Sequence, residues 1–294
     1  ARASCCTPSG QEREAQKPQP VPLECRLRLM AGTPPTNFVR VAGGEFAVAC
    51  TTFHPVGANL WEMVELAAGA QTWGFSTPAS TPGPALLRRI LDDAADAGFN
   101  TLRALAHGVN KESRLQTAPG VYDEKTFAAL DYAIQQASTR GLRLILALTS
   151  NWGDVGSVDE YVAWAGAGGH AAFFTDARAR SLYLAHAAAI INRVNTLTGV
   201  RYGDDPTIAA WNLINEPRAT GSRPGTVAAW VDAVAPAVKA LAPKQLLTVG
   251  AEGFYASTDA GAAANPGGWA ANEGQAFVRD HASPAIDFAS IHVW

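Results

Sequence analysis

The chain contains no apolar run approaching the roughly 18–20 residues that a membrane-crossing helix requires. No glycine-rich phosphate loop follows any candidate strand, which argues against a dinucleotide site. Neither sign of charge dominates, and the net charge of −3 gives no electrostatic reason to expect a nucleic-acid or membrane partner. Cysteine is scarce: Cys5, Cys6, Cys25 and Cys50 all fall early, in neither zinc nor thioredoxin spacing. One disulfide or unpaired thiols are both compatible with that pattern. His54, His170, His186 and His281 share no metal-ligand spacing, so no metal and no other cofactor is expected. There is no Asn-x-Ser/Thr sequon, and no signal peptide is visible. The first residue is Ala, as expected of a chain that begins inside a longer translation product or after processing.

Hydrophobic residues, by contrast, make up 48% of the 294 positions, enough for one large core. Residues 1–36 are the exception, being proline-rich and charged with no sustained periodicity; a poorly ordered leader or linker is expected there. One domain is expected over residues 37–294.

Apolar stretches on either side of Gly43-Gly44 predict a β-hairpin over 38–48. Beyond it, short apolar runs alternate with longer amphipathic ones. Candidate strands fall at 55–61, 100–106, 142–149, 207–214, 246–250 and 286–293. Several are almost continuously apolar, which suits parallel strands buried on both faces. Phe127, Leu130, Ile134 and Ala137 mark one helix face, with Gly141 as its stop. Further helices are expected at 86–97, at 177–198, and at 226–241, where Pro236 should kink or end the helix early. Repeated βα units imply a parallel sheet, either open and doubly wound or closed into a barrel. Polar and aromatic residues gather where strands end: Trp61, Arg103, His107, Asn151, Trp152, Asn215, Glu216, Glu252, His292 and Trp294. A site assembled from many strand ends is the habit of an α/β barrel of the (β/α)8 type, of which six strands are expected here.

Trp211-Asn212-Leu213-Ile214-Asn215-Glu216-Pro217-Arg218 carries the chemistry. An apolar strand runs straight into Asn-Glu-Pro, so Glu216 should sit where the strand leaves the core. Partial desolvation there would raise its pKa and suit it to protonate a glycosidic oxygen. Asn215 could bond a sugar hydroxyl beside the reacting carbon. Asn before Glu-Pro also reads as a helix cap. Trp152 could stack on a sugar ring or pack at the barrel top. Trp73, Trp164, Trp211 and Trp230 read as core or rim.

With Asn192–Gly199, Glu252-Gly253-Phe254-Tyr255 and Asp287–His292, these residues resemble glycoside hydrolase family 5, and within it the β-mannanases of plant and fungal type. The resemblance implies endo-hydrolysis of β-1,4-mannosidic bonds by a retaining mechanism, acting on a mannan-type polysaccharide. It implies Glu216 as acid/base and Asn215 as its sugar-binding partner. Arg103 would orient the nucleophile, and His292 would lie near the sugar at the cleavage point. Asn151, Trp152, His107 and Trp294 are further candidates for substrate contact. A secreted monomer is expected on the same grounds. In plant relatives a Trp follows the Arg by two residues, where this chain has Leu105. Trp294 replaces a frequent Tyr, and Leu60-Trp61-Glu62 replaces a Tyr-Trp pattern. These departures keep a related β-glucan or cellulose substrate open, as well as a non-catalytic carbohydrate-binding fragment. The nucleophile is expected from a seventh strand beyond Trp294, so residues 1–294 alone should be inactive; Glu252 is expected to be structural rather than its substitute.

Overall fold

A computed structural model describes residues 33–73, 82–153 and 155–293. The expectation of a poorly ordered leader falls mostly on 1–32 and, like the role suggested for Trp294, lies outside the described residues.

Strands β1 (Val39–Ala42) and β2 (Glu45–Val48) form the hairpin, with Val39 opposite Val48. Gly43 and Gly44 take φ of 63° and 83°, the left-handed pair a two-residue turn needs. β3 (Thr51–Thr52) adds to its edge. There follow β4 (Gly57–Asn59), α1 (Met63–Ala68), α2 (Gly83–Asp96) and β5 (Thr101–Leu105). A small ribbon, β6 (Gln116–Ala118) with β7 (Val121–Tyr122), precedes α3 (Glu124–Ser138). The chain continues through β8 (Arg143–Ala147), α4 (Val158–Ala165), α5 (Ala177–Ile191), β9 (Ile208–Asn212), α6 (Thr226–Leu241), β10 (Leu246–Thr248) and α7 (Phe277–Asp280). No helix among the described residues is long and apolar enough to cross a membrane.

The main sheet runs β10-β9-β8-β5-β4, parallel throughout. Each strand lies beside its predecessor among the parallel strands, with no reversal of direction. That is the winding of a barrel wall; a doubly wound sheet would reverse at a switch point. The two strand faces do different work. Leu102, Ala104, Leu144, Leu146 and Trp211 point outward into one core with Leu130, Ile134, Tyr183 and Trp230 of the helices. Ile145, Ala210 and Leu246 point inward and meet Val39, Phe46, Val48 and Phe53 of the hairpin region, which closes the amino-terminal end of the wall.

Three expectations need correction. The stretch 286–293 forms no ladder among the described residues. It runs beside β10 and the residues after it with two backbone bonds, Asp287 N–H donating to the Leu247 carbonyl (2.9 Å) and His292 N–H to that of Glu252 (3.3 Å), while Leu247 N–H is taken by the Asp287 carboxylate (2.7 Å) instead of a ladder partner. β10 itself is three residues long, so little edge is offered for pairing. The helix expected over 177–198 stops at Ile191. Asn195 draws the following chain into a turn by accepting from Leu197 and Thr198 N–H, while its amide donates to the Asp131 carbonyl. α6, conversely, does not end early. Pro236 lies on its exposed face, where water can satisfy the carbonyl that the missing N–H leaves unpaired.

Candidate active site

The carboxyl ends of the strands surround a cleft of about 480 Å³. Asn59 and Trp61 line it from the end of β4, Arg103 and Leu105 from β5, Ser150 and Trp152 from the segment after β8, and Asn215 and Glu216 from that after β9. His292 reaches it from the last described segment. Among the described residues Glu216 is the one carboxylate in its lining.

Glu216 is buried and holds φ at 55°, a left-handed conformation that a non-glycine side chain adopts only under local constraint. Its N–H donates to the Gly250 carbonyl (2.9 Å), and Pro217 follows at once. The chain is thus turned out of the strand so that the side chain enters the cleft. No helix begins there; the next starts at Thr226, which removes the helix-cap reading of Asn-Glu-Pro. Gly250 is required for this turn, since a Cβ on it would lie 2.1 Å from the Ile214 carbonyl oxygen.

The Glu216 carboxyl is bracketed. His292 Nδ1 lies 2.7 Å from Oε1, and the Trp152 indole N–H donates to Oε2 at 2.6 Å. Burial is the largest single influence and raises its pKa. Those two hydrogen bonds, with the charges of His292 and Arg103, outweigh burial and leave the group below the usual carboxylate value. The raised pKa expected from strand-end burial is therefore not the resting state.

Arg103, on β5, reaches across β8 to the end of β9. Its Nε donates to Asn212 Oδ1 (2.9 Å) and a terminal nitrogen to Asn215 Oδ1 (2.8 Å), while Asn215 Nδ2 reaches Ser150 Oγ (3.2 Å). Asn215 is thereby fixed in orientation beside Glu216. Trp152 is exposed on the cleft wall, but its ring also carries the Arg218 guanidinium, 4.9 Å from the centroid.

Two expected contact residues lie elsewhere. Asn151 does not line the cleft; its Oδ1 accepts from His170 Nε2 (2.7 Å) and Arg218 N–H (3.1 Å), bracing the turn after Glu216. His107 is buried outside the cleft, because β5 ends at Leu105 and its alternation no longer directs the side chain inward. The ring packs over Gly156, where a Cβ would lie 2.2 Å from Nδ1. Glu252 is likewise absent from the lining, and Arg218 holds it through paired bonds of 2.8 and 2.6 Å. Trp211 and Trp230 are core residues, whereas Trp73 is on the rim. Sequence reasoning missed Arg218, although it directly follows Glu216-Pro217, and missed Asn212, whose inward register alternation could have shown.

His107 and His186 form a buried pair with a measurable consequence. Burial holds His107 down to about 4, and burial with the neighbouring His107 holds His186 down to about 3. Both are neutral when folded, yet take protons below about 6.5 when unfolded. Their stabilising contribution is complete above that pH and is lost as pH falls towards 4 and then 3. The melting temperature should begin to fall near pH 6.5, and His186→Phe should flatten that decline. A wild-type melting temperature unchanged down to pH 4.5 would contradict the assignment.

The GH family 5 beta-mannosidase-like profile matches residues 36–294. Rice (Oryza sativa subsp. japonica) putative mannan endo-1,4-beta-mannosidase 5 is 40% identical over 266 residues, covering 88% of this chain and 52% of that protein. Rice mannan endo-1,4-beta-mannosidase 8 is also 40% identical, over 76% of this chain and 62% of its own length. The chain thus spans roughly half to two-thirds of these curated relatives. The solved endo-1,4-beta-mannanase of Rhizomucor miehei superposes with a TM-score of 0.74 at 26% identity, over 87% of this chain and 71% of that one. The strand winding and these likenesses together make the fold a partial (β/α)8 barrel, and the chain belongs to glycoside hydrolase family 5, in its beta-mannosidase-like group.

Proposed function

We propose that this protein cleaves internal β-1,4-mannosidic bonds of mannan, glucomannan or galactomannan by retaining double displacement, with Glu216 as the acid/base. The supporting observation is Glu216 itself, a buried carboxyl turned into the strand-end cleft with Asn215 and His292 beside it. Glu216 would protonate the leaving oxygen and then activate water against the glycosyl-enzyme. The mechanism requires a second carboxylate about 5–5.5 Å away as nucleophile. Its negative charge would also raise the Glu216 pKa from the depressed resting state, because like charges disfavour joint ionisation. Glu252 does not meet this need, being committed to Arg218. Secretion forms part of the same proposal, since polymeric mannan is met outside the cell.

The second reading is a related β-glucan or cellulose substrate, which Leu105 in the cleft wall leaves open. Assays of the enzyme extended to a complete barrel, with its nucleophile, on mannan, galactomannan, glucomannan, mixed-linkage glucan and cellulose, with product anomers followed by NMR, separate the two. Mannan should be cleaved internally with retained β configuration. Cleavage of glucans alone, or release of inverted product, would overturn the proposal.

A further inference from the structure

Outside the cleft lining, one histidine is held between two acceptors. His170 opens a short 3-10 turn, His170–Phe174, whose Phe173 is buried among Tyr161, Tyr183 and Trp230. That packing fixes the backbone from which the imidazole projects. Its Nδ1 lies 2.8 Å from Asp159 Oδ1, in the first turn of α4, and its Nε2 lies 2.7 Å from Asn151 Oδ1. Arg218, Thr220 and Glu273 share the same small hollow.

The protons on the ring follow from its neighbours. Arg218 N–H can only donate, and it meets the same Asn151 atom at 3.1 Å, so that atom is the carbonyl oxygen. Nε2 therefore faces an acceptor, while Nδ1 faces a carboxylate. Only the imidazolium, with a proton on each nitrogen, satisfies both contacts. A neutral ring would donate to the carboxylate through Nδ1 and set its Nε2 lone pair against Asn151 Oδ1. If Asn151 turned its amide to suit such a ring, its NH2 would face Arg218 N–H, donor against donor. Asn151, which is buried, thus serves both neighbours only while His170 carries two protons.

What Asn151 holds is the turn that carries Glu216. Its own N–H donates to the Asn215 carbonyl (2.9 Å), just before Glu216, and its side chain holds Arg218 N–H, just after. Glu216 between them sits at φ 55°, a conformation that persists only where the surroundings impose it.

We propose that His170 is a positioning residue: as an imidazolium pinned by Asp159 it fixes Asn151, and through Asn151 the strained turn that aims the Glu216 carboxyl. The proposal rests on the acid/base reading of Glu216 above. The Asp159 side chain is 64% exposed, so its ion pair adds little stability and serves to orient the ring.

The test uses the enzyme extended to a complete barrel. His170→Ala should lower kcat on mannan about tenfold with KM nearly unchanged, because a slightly misplaced catalytic group is costly. A dinitrophenyl manno-oligosaccharide needs little acid help, so its kcat/KM should fall far less. Hydrogen exchange at the Arg218 amide should quicken. His170→Gln, whose amide puts a donor where Nε2 stood, should recover most of the turnover and the protection. His170→Asn, whose amide matches Nδ1 instead, should recover little. That pair carries the test even where the alanine variant fails to fold. Equal recovery by Gln and Asn, unchanged exchange at Arg218, or equal loss on both substrates would overturn the proposal. Should Glu216→Gln spare mannan turnover while His170→Ala still frees the Arg218 amide, the acid/base reading falls and the bracing of the turn stands.

Discussion

Glu216→Gln is expected to lower mannan hydrolysis in the complete-barrel enzyme by about two to four orders of magnitude, the usual worth of general acid–base catalysis. The amide preserves the shape and can still accept from Trp152 Nε1 and meet His292 Nδ1, which hold the two carboxyl oxygens at 2.6 and 2.7 Å. It cannot deliver a proton to the leaving oxygen. Oligosaccharide affinity should therefore change little while kcat collapses. An aryl mannoside with a good leaving group needs little acid help, so its first step should survive better than mannan cleavage. Near wild-type turnover of mannan by this variant would show that another group supplies the proton.

Arg218→Ala should be the most damaging single change to stability near the cleft. The Glu252 side chain is 1% exposed, and Arg218 holds both of its oxygens. Removing the cation strands a buried charge, at a cost of roughly 3–5 kcal/mol. For a domain of this size that lowers the melting temperature by about 10 °C. Lost stacking on Trp152, Phe254 and Trp269 adds to it. A double variant, Arg218→Met with Glu252→Gln, should recover most of the stability because no charge is left unpaired. If the single variant melts with the wild type, or the double variant is no better, the pair does not carry the load assigned to it.

The order of elements and the place of Glu216 were legible in the sequence because both are local signals. Near-continuous apolar runs ending in polar residues mark buried parallel strands and their carboxyl ends, and Ile208–Asn212 followed closely by Asn215 and Glu216 is such a run. Even so, side-chain partners overruled local pattern at several points. Asp131 and Asn195 ended a helix seven residues early, and solvent on one face let Pro236 pass within another.

The sequence alone singled out Glu216, the carboxyl proposed to carry the proton chemistry, and through the strand–helix order put it at the mouth of a parallel βα wall. Tertiary structure decided the state of that residue. Its partners His292 and Trp152 are 76 and 64 positions away, and whether burial or their hydrogen bonds prevails depends on ångström geometry that no linear pattern encodes. The same holds for Glu252, which a strand-end pattern alone leaves as a candidate carboxylate and which the structure pairs with Arg218 outside the cleft lining. It holds also for Trp73, which a loop brings to the cleft with no periodicity to announce it, because loops are placed by the contacts they find rather than by a repeat.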